Sequence, residues 1–380
     1  MTDVFGAEFL DRLHSAGAIK DQASFEALRT SGFPNRRVEA WRYTDLAAQL
    51  AQTLTPAGLR INQEQSGLFG PIPSVEPVDG DALSLLNAAV GGEGFLFEVP
   101  AGAKLKPTFA RFGAMAEHAL VNATNKITVG EGGEAVLVER WGNVDDSWIN
   151  SDTTIELAAN AKLTRIILVE DGAEGTQTHR TFTALGENAR YDALVVTLGG
   201  GLHRIEQHAD INASGAHAGL AALVLKRNKE HSDFVTNVRH LAADTTSDQQ
   251  VRTVVDGDAT AVFQGGIKVA QDSQRIEGDQ LSRALMLSDR AQAFTKPELE
   301  IFADDVKCSH GATVGDLDED ALFYMRARGV DEAAARALLI LAFAREPFEA
   351  MELPEAVEDM LEAKVQDWLG VTGRFEALEV

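Results

Sequence analysis

The apolar residues of the chain change their spacing twice. Up to about residue 66 they fall at helical intervals: Phe5, Phe9, Leu10 and Leu13, then Phe25 and Leu28, with Pro34 and Asn35 as punctuation. Short packed helices are predicted for 1–66. Residues 67–80 hold Pro71, Pro73 and Pro77 among three glycines, so 67–118 reads as a linker and the entry to a new region. From 119 to about 301 the chain turns to short runs of Val, Ile, Thr and Leu, at 125–129, 135–139, 153–157, 162–169 and 194–198, with turn residues between them. Those runs predict strands, and 119–314 is read as a β core.

Several runs begin with a turn residue and then alanine. Ala135, Ala161, Ala189 and Ala216 step by 26, 28 and 27 residues, whereas Ala259 and Ala291 follow at 43 and 32. A near-constant step with only 7% aromatic residues predicts coils stacked on coils, a β-solenoid. The later intervals break the period, and a large β-sandwich stays open. Beyond Gly315 helices return over 315–380. Asp316, Asp318, Glu319 and Asp320 place negative charge at a helix start, and Gly329 is positioned to end that helix. Val330 and Asp331 read as staple and N-cap of a second helix, from Glu332 to about Glu346, stopped by Pro347. A third runs from Pro354 to Leu369. Its stripe of Val357, Met360, Leu361, Val365, Trp368 and Leu369 suits either the core or a docked partner.

With 380 residues, 45% of them hydrophobic, the chain can bury a large core in two or three domains. Its net charge of −24 repels phosphate backbones and anionic membranes, so neither nucleic acid nor a membrane surface is an expected partner. One cysteine forbids an intrachain disulfide, and residues 1–8 lack the basic-then-apolar order of a secretory signal. The longest strongly apolar run, 337–343, is too short to span a bilayer. A cytoplasmic protein is expected.

No Gly-x-x-x-x-Gly-Lys-Ser/Thr loop occurs, so no nucleotide is expected on this chain. The glycine clusters at 130, 132 and 133 and at 199–201 read as turns. Histidines 179, 203, 208, 217, 231 and 240 are scattered, and only His203 and His208 come near ligand spacing. The run 36–44 sets Trp41 and Tyr43 among arginines, which reads as a small helical core with arginine stems lying along it in preference to a ligand site.

The densest candidate chemistry is at 299–313, where the only cysteine, Cys308, stands two residues before His310. In an extended segment Asp304, Val306, Cys308 and His310 share one face. Thiolate and imidazole together suit a soft or borderline metal such as iron or zinc. Such a metal or an iron–sulfur cluster takes four ligands, so another chain must supply the rest. The plainer reading is a buried thiol and a turn histidine before Gly311. Asp304 and Asp305 also suggest the acid and base of a β-solenoid polysaccharide lyase or hydrolase. As neighbours on a strand they would face opposite ways, a poor catalytic pair.

The text around this pair resembles a known family. Residues 296–301, then Asp304-Asp305-Val306-Lys307-Cys308-Ser309-His310-Gly311-Ala312-Thr313-Val314-Gly315, then Leu322-Phe323-Tyr324 and Arg326-Ala327-Arg328-Gly329 are similar to the SufB/SufD family of iron–sulfur cluster assembly proteins. The segments 231–240, 264–269 and 279–287 fit it too. The single cysteine, the short length and the run 36–44 resemble the SufD branch, since SufB chains are longer and richer in cysteine. The resemblance implies a right-handed parallel β-helix between helical terminal regions, in a complex with SufB and two SufC ATPases. It implies a non-catalytic scaffold that helps iron enter and shares a transient iron–sulfur cluster with SufB, with SufC hydrolysing the ATP. On this chain the functional histidine falls on His310 and the interface thiol on Cys308. The SufC-docking region falls on helices 316–369. An open solenoid edge also gives the isolated chain reason to pair with a second copy.

Overall fold

A computed structural model describes residues 4–63, 69, 70, 81–172, 174–349 and 351–371. Pro71, Pro73 and Pro77, on which the predicted linker rests, lie outside the described residues. Helices α1 (Ala7–Ser15), α2 (Gln22–Ser31) and α3 (Ala47–Ala51) precede short strands β1 (Thr55–Ala57), β2 (Arg60–Gln63) and β3 (Phe69–Gly70) and helix α4 (Ala82–Val90). Sixteen strands follow. They are β4 (Leu96–Val99), β5 (Thr108–Gly113), β6 (Ala119–Val129), β7 (Glu134–Asn143), β8 (Trp148–Leu157), β9 (Lys162–Asp171), β10 (Thr176–Leu185) and β11 (Arg190–Leu198), then β12 (Leu202–Ile211), β13 (His217–Lys226), β14 (His231–His240), β15 (Thr246–Val255), β16 (Thr260–Val269), β17 (Ile276–Met286), β18 (Gln292–Ile301) and β19 (Val306–Gly315). The chain closes with α5 (Glu319–Ala327), α6 (Glu332–Glu349) and α7 (Glu355–Leu369).

Successive strands alternate between two sheets. Even-numbered strands from β4 to β18 stack in one and odd-numbered strands from β5 to β19 in the other, parallel throughout those runs. This is a parallel β-solenoid, and the β-sandwich alternative is discarded. Corners are made by residues that tolerate the left-handed region: Asn160, Asn188 and Asp244 have φ of 57°, 53° and 58°, and Gly215 has 74°. The main chains of these corners hydrogen-bond down the stack, from Asn188 N to Ser214 O and from Gly215 N to Asp244 O. The alanine after each corner turns inward, where a larger side chain would crowd the bend: Ala161, Ala189, Ala216 and Ala259 are all buried.

The broken alanine period has a simple cause. In the odd-numbered sheet the register runs Glu134, Lys162, Arg190, His217, Thr246, Glu277, Lys307, steps of 28, 28, 27, 29, 31 and 30 residues. Thr245, not alanine, stands at the fifth corner, and Ala259 and Ala291 precede strands of the other sheet. The coil never lost its repeat; the alanine marker changed sheets.

An apolar lumen of Val, Ile, Leu and Ala runs between the sheets. The terminal helices cover the outer faces. Helices α1, α2 and α4 pack over Leu120, Trp148 and Leu202. Helices α6 and α7 pack on Val138, Ile166, Leu194, Leu223 and Val254 of the opposite sheet. Val357, Leu361, Val365 and Trp368 are buried there, at about 1.5–3 kcal/mol for each large apolar side chain, so the α7 stripe is core. Asp318 Oδ1 caps α5 by accepting from the Asp320 and Ala321 N–H groups at 2.9 and 3.0 Å. Asp331 Oδ2 accepts from Ala334 N–H at 3.3 Å at the start of α6. Pro347 does not stop α6, which continues to Glu349. It lies in the last turn, where its missing N–H forfeits one main-chain bond, and its ring is buried beside Phe348.

Candidate functional site

The stretch 299–313 is two strands and a corner. Strand β18 ends at Ile301, 302–305 turn, and β19 begins at Val306. Asp304 therefore leaves the alternation that groups Val306, Cys308 and His310, and the expected four-residue face is a three-residue one. Asp305 belongs to the corner: its carbonyl accepts from Arg275 N at 2.6 Å and its N–H donates to Gln274 Oε1 at 2.9 Å. Both aspartates are exposed. They tie one corner to the next and form no enclosed acid–base pair.

Register places the pair in the solenoid. Cys308 stacks under Gly278 and Ser247, and His310 under Gln280 and Gln249. Ser247, Gln249 and Gln280 are buried lumen residues, so Cys308 and His310 are the last members of two inward-facing columns. Cys308 packs with Val306, Leu299 and Ala303 around Ile267, Val269 and Ile276. It is half-buried, and burial pushes its thiol up, against a hydrogen bond with the Gly278 main chain and together with the negative charge of Asp279. The resting group is a thiol, and a bound cation would be needed to hold it as thiolate near neutral pH. His310 is exposed because the solenoid ends beneath it. On the opposite face Lys307 pairs with Glu277 at 2.7 Å and Ser309 Oγ donates to Asp279 Oδ1 at 2.5 Å, holding β19 in register.

Two residues apart on one strand, the two Cα atoms are about 7 Å from each other, a span one metal or a small cluster can bridge. Among the described residues no three His, Cys, Asp or Glu side chains converge. Sulfur and imidazole nitrogen are donors that suit iron, and two of them are too few to fill the coordination of one metal. Among the described residues, strands β18 and β19 end their sheets with unpaired outer edges. Around them Phe294, Ile301, Phe302 and Val314 are exposed, Phe302 by 60%. Bare sheet edges with an apolar rim are ready for a partner's strands.

The run 36–44 packs on the solenoid. Trp41 is buried under the Arg204 guanidinium of β12, 3.9 Å from the ring centre, whereas Arg36, Arg37 and Arg42 are exposed. The arginine over the tryptophan thus comes from the solenoid. Arg204 is held by Glu206 and Asp233, and Thr44 Oγ1 donates to Asp233 Oδ2 at 2.6 Å. The segment then reaches β18, where Tyr43 stacks on Phe294 at 4.7 Å and Glu39 pairs with Lys296 at 2.8 Å. It straps the N-terminal region to the strand beside the site.

The scattered histidines prove to be divided by strand alternation. His203 faces the lumen and His208 faces outward, stacked on Phe182, so their spacing makes no ligand pair. His203 accepts at Nδ1 from Lys226 Nζ at 2.9 Å and donates from Nε2 to Asp171 at 2.9 Å, which requires the neutral ring. Burial, then Lys226, holds His203 down at about 4 against Asp171; burial alone leads in bringing Lys226 to about 7. Sequence patterning missed this network, along with Gln249 and Gln280. Its only signal is polar residues at the inward phase of strands.

Comparison with known proteins adds the decisive observation. A family model described as SUF system FeS cluster assembly, SufBD core domain, matches residues 112–343, which includes the solenoid from β6 to β19 and the Cys308–His310 pair. This chain belongs to the SufBD family. It is a subunit of the SUF iron–sulfur cluster assembly system. It is 28% identical to iron–sulfur cluster assembly protein SufD of Escherichia coli, over 87% of this chain and 88% of that protein. It is 27% identical to the SufBD family protein slr0076 of Synechocystis, over 88% and 87%. It is also 33% identical to the chloroplastic protein ABCI7 of Arabidopsis thaliana, over 59% of this chain and 48% of the relative. Nothing in these comparisons supports a polysaccharide lyase or hydrolase, and among the described residues no helix is long and apolar enough to cross a membrane.

Proposed function

We propose that this SufBD-family chain is the SufD-type scaffold subunit of a cytoplasmic complex, non-catalytic itself. It pairs with a SufB-type chain through the open end of its solenoid and docks SufC-type ATPases through its C-terminal helices. Iron is taken up and a nascent, transient cluster is built between the subunits, with His310 and Cys308 as the ligands from this side. ATP is bound and hydrolysed by the ATPase partner. The observation that carries the reading is the position of Cys308 and His310: they close two inward-facing columns on the last strand, two ligands of four, inside an apolar rim with no strand below among the described residues. A partner solenoid pairing there would exclude water and complete the ligand set. Helix α5 supports the second contact, because Phe323 and Tyr324 are 72% and 59% exposed and Leu322 is its one buried residue.

Replacing His310 tests the reading. In a complex purified anaerobically with its SufB- and SufC-type partners, His310→Ala is expected to lower bound iron and cluster yield several-fold without changing the circular dichroism of the chain. Wild-type iron content in the mutant complex would falsify the assignment.

A further inference from the structure

Above His310 one hydrogen bond joins Gln280 to Gln249, and two more tie Gln249 to the facing sheet. Gln249 donates from Nε2 to the Gly266 carbonyl at 3.4 Å, and its Oε1 accepts from Thr236 Oγ1 at 2.5 Å and from Gln280 Nε2 at 3.2 Å. These contacts fix the Gln280 amide. Its nitrogen is committed to the layer above, which leaves Oε1 for the layer below, and the residue in register there is His310. Gln280 is only 2% exposed, and its Oε1 accepts no hydrogen bond among the described residues. Buried amide oxygens are nearly always paired, so an orphan at the last covered layer of the lumen calls for a donor. A neutral imidazole carries one N–H, and neutral imidazole is also the form that binds metal.

We propose that Gln280 is a positioning residue for the iron site. When a partner covers the open end, Gln280 Oε1 accepts the N–H of one His310 ring nitrogen. That bond selects the tautomer and turns the lone pair of the other nitrogen toward the subunit interface. The inference rests on the reading of His310 as a ligand. Its physical basis is general: a ligating histidine is oriented by whatever accepts its second ring nitrogen, and loss of that acceptor weakens metal binding about 10- to 100-fold.

The test is anaerobic titration of the full chain, co-purified with its partner subunits, with ferrous iron alone. Gln280→Met, with Gln280→Leu as a second apolar variant, is expected to weaken ferrous binding about tenfold or more. Gln280→Glu keeps an acceptor at the same position and is expected to bind as the wild type does. In a His310→Ala background the apolar change should add nothing. If His310→Ala loses iron while Gln280→Met and Gln280→Leu retain it, Gln280 has no such role and the ligand reading survives. Weakening of equal size in both backgrounds would mean a structural effect only, which also overturns the proposal. If His310→Ala itself binds iron normally, the ligand reading fails and takes this inference with it.

Discussion

At the scale of single residues, Cys308 and His310 could be picked out from text because the chain has one cysteine and strands alternate their faces. Gln249 and Gln280 could not. A glutamine at every second position of a strand looks like the wet face of a sheet, and only the coil turns that face inward to meet a second polar column. The surroundings of Cys308 lead to a direct expectation. Burial raises its pKa, so the thiolate fraction at neutral pH is smaller than for a free thiol and grows only at higher pH. Alkylation of the isolated chain should therefore show a midpoint above the ordinary value of about 8.5. A midpoint below 8 would mean that a cation near the thiol outweighs burial.

At the scale of elements, helices were legible from a charged, capped start, as in α5, or from an apolar stripe, as in α7. Pro347 misled because a proline signals a stop wherever it stands, while its cost depends on which turn it occupies and on what its ring packs against. The strap at 36–44 was visible as a cluster of aromatic and basic residues, but its anchor, Arg204, is far away in sequence. Trp41→Ala should remove about 3–5 kcal/mol of packing and leave the strap free. Limited proteolysis would then cut within 36–45 faster than in the wild type; equal rates would show that Thr44 and Tyr43 hold the segment without the tryptophan. Helix α5 makes the opposite case. Phe323→Ser with Tyr324→Ser changes only exposed positions, so stability should move by less than about 0.5 kcal/mol per site. Co-purification of the ATPase should nonetheless fall sharply, and undiminished capture would move the docking surface elsewhere.

At the scale of the whole molecule, the solenoid is held by an apolar lumen threaded with neutral histidines. Burial is the leading cause that brings His203 and His240 to about 4, below the ordinary value of about 6.5. Between these values the unfolded chain binds protons that the folded chain refuses. Stability is therefore retained above about pH 6.5 and lost as pH falls toward 4, by at most about 1.4 kcal/mol per pH unit for each histidine. The guanidinium midpoint should be lower at pH 5 than at pH 7, and His203→Gln should reduce the difference. A midpoint independent of pH would rule out neutral burial. Local rules account for what could be read in advance: β-rich runs, turn residues before alanine at steps of 26 to 28, caps, and a cysteine–histidine pair with too few ligands for a metal of its own. Each depends on neighbours in sequence. Which face of a strand looks inward, which arginine covers Trp41, and where the coil stops depend on residues about 30 or more positions apart that meet only after the chain has wound round. The pair at 308 and 310 came to lie at the open end of the coil through that winding, because among the described residues no further turn covers it.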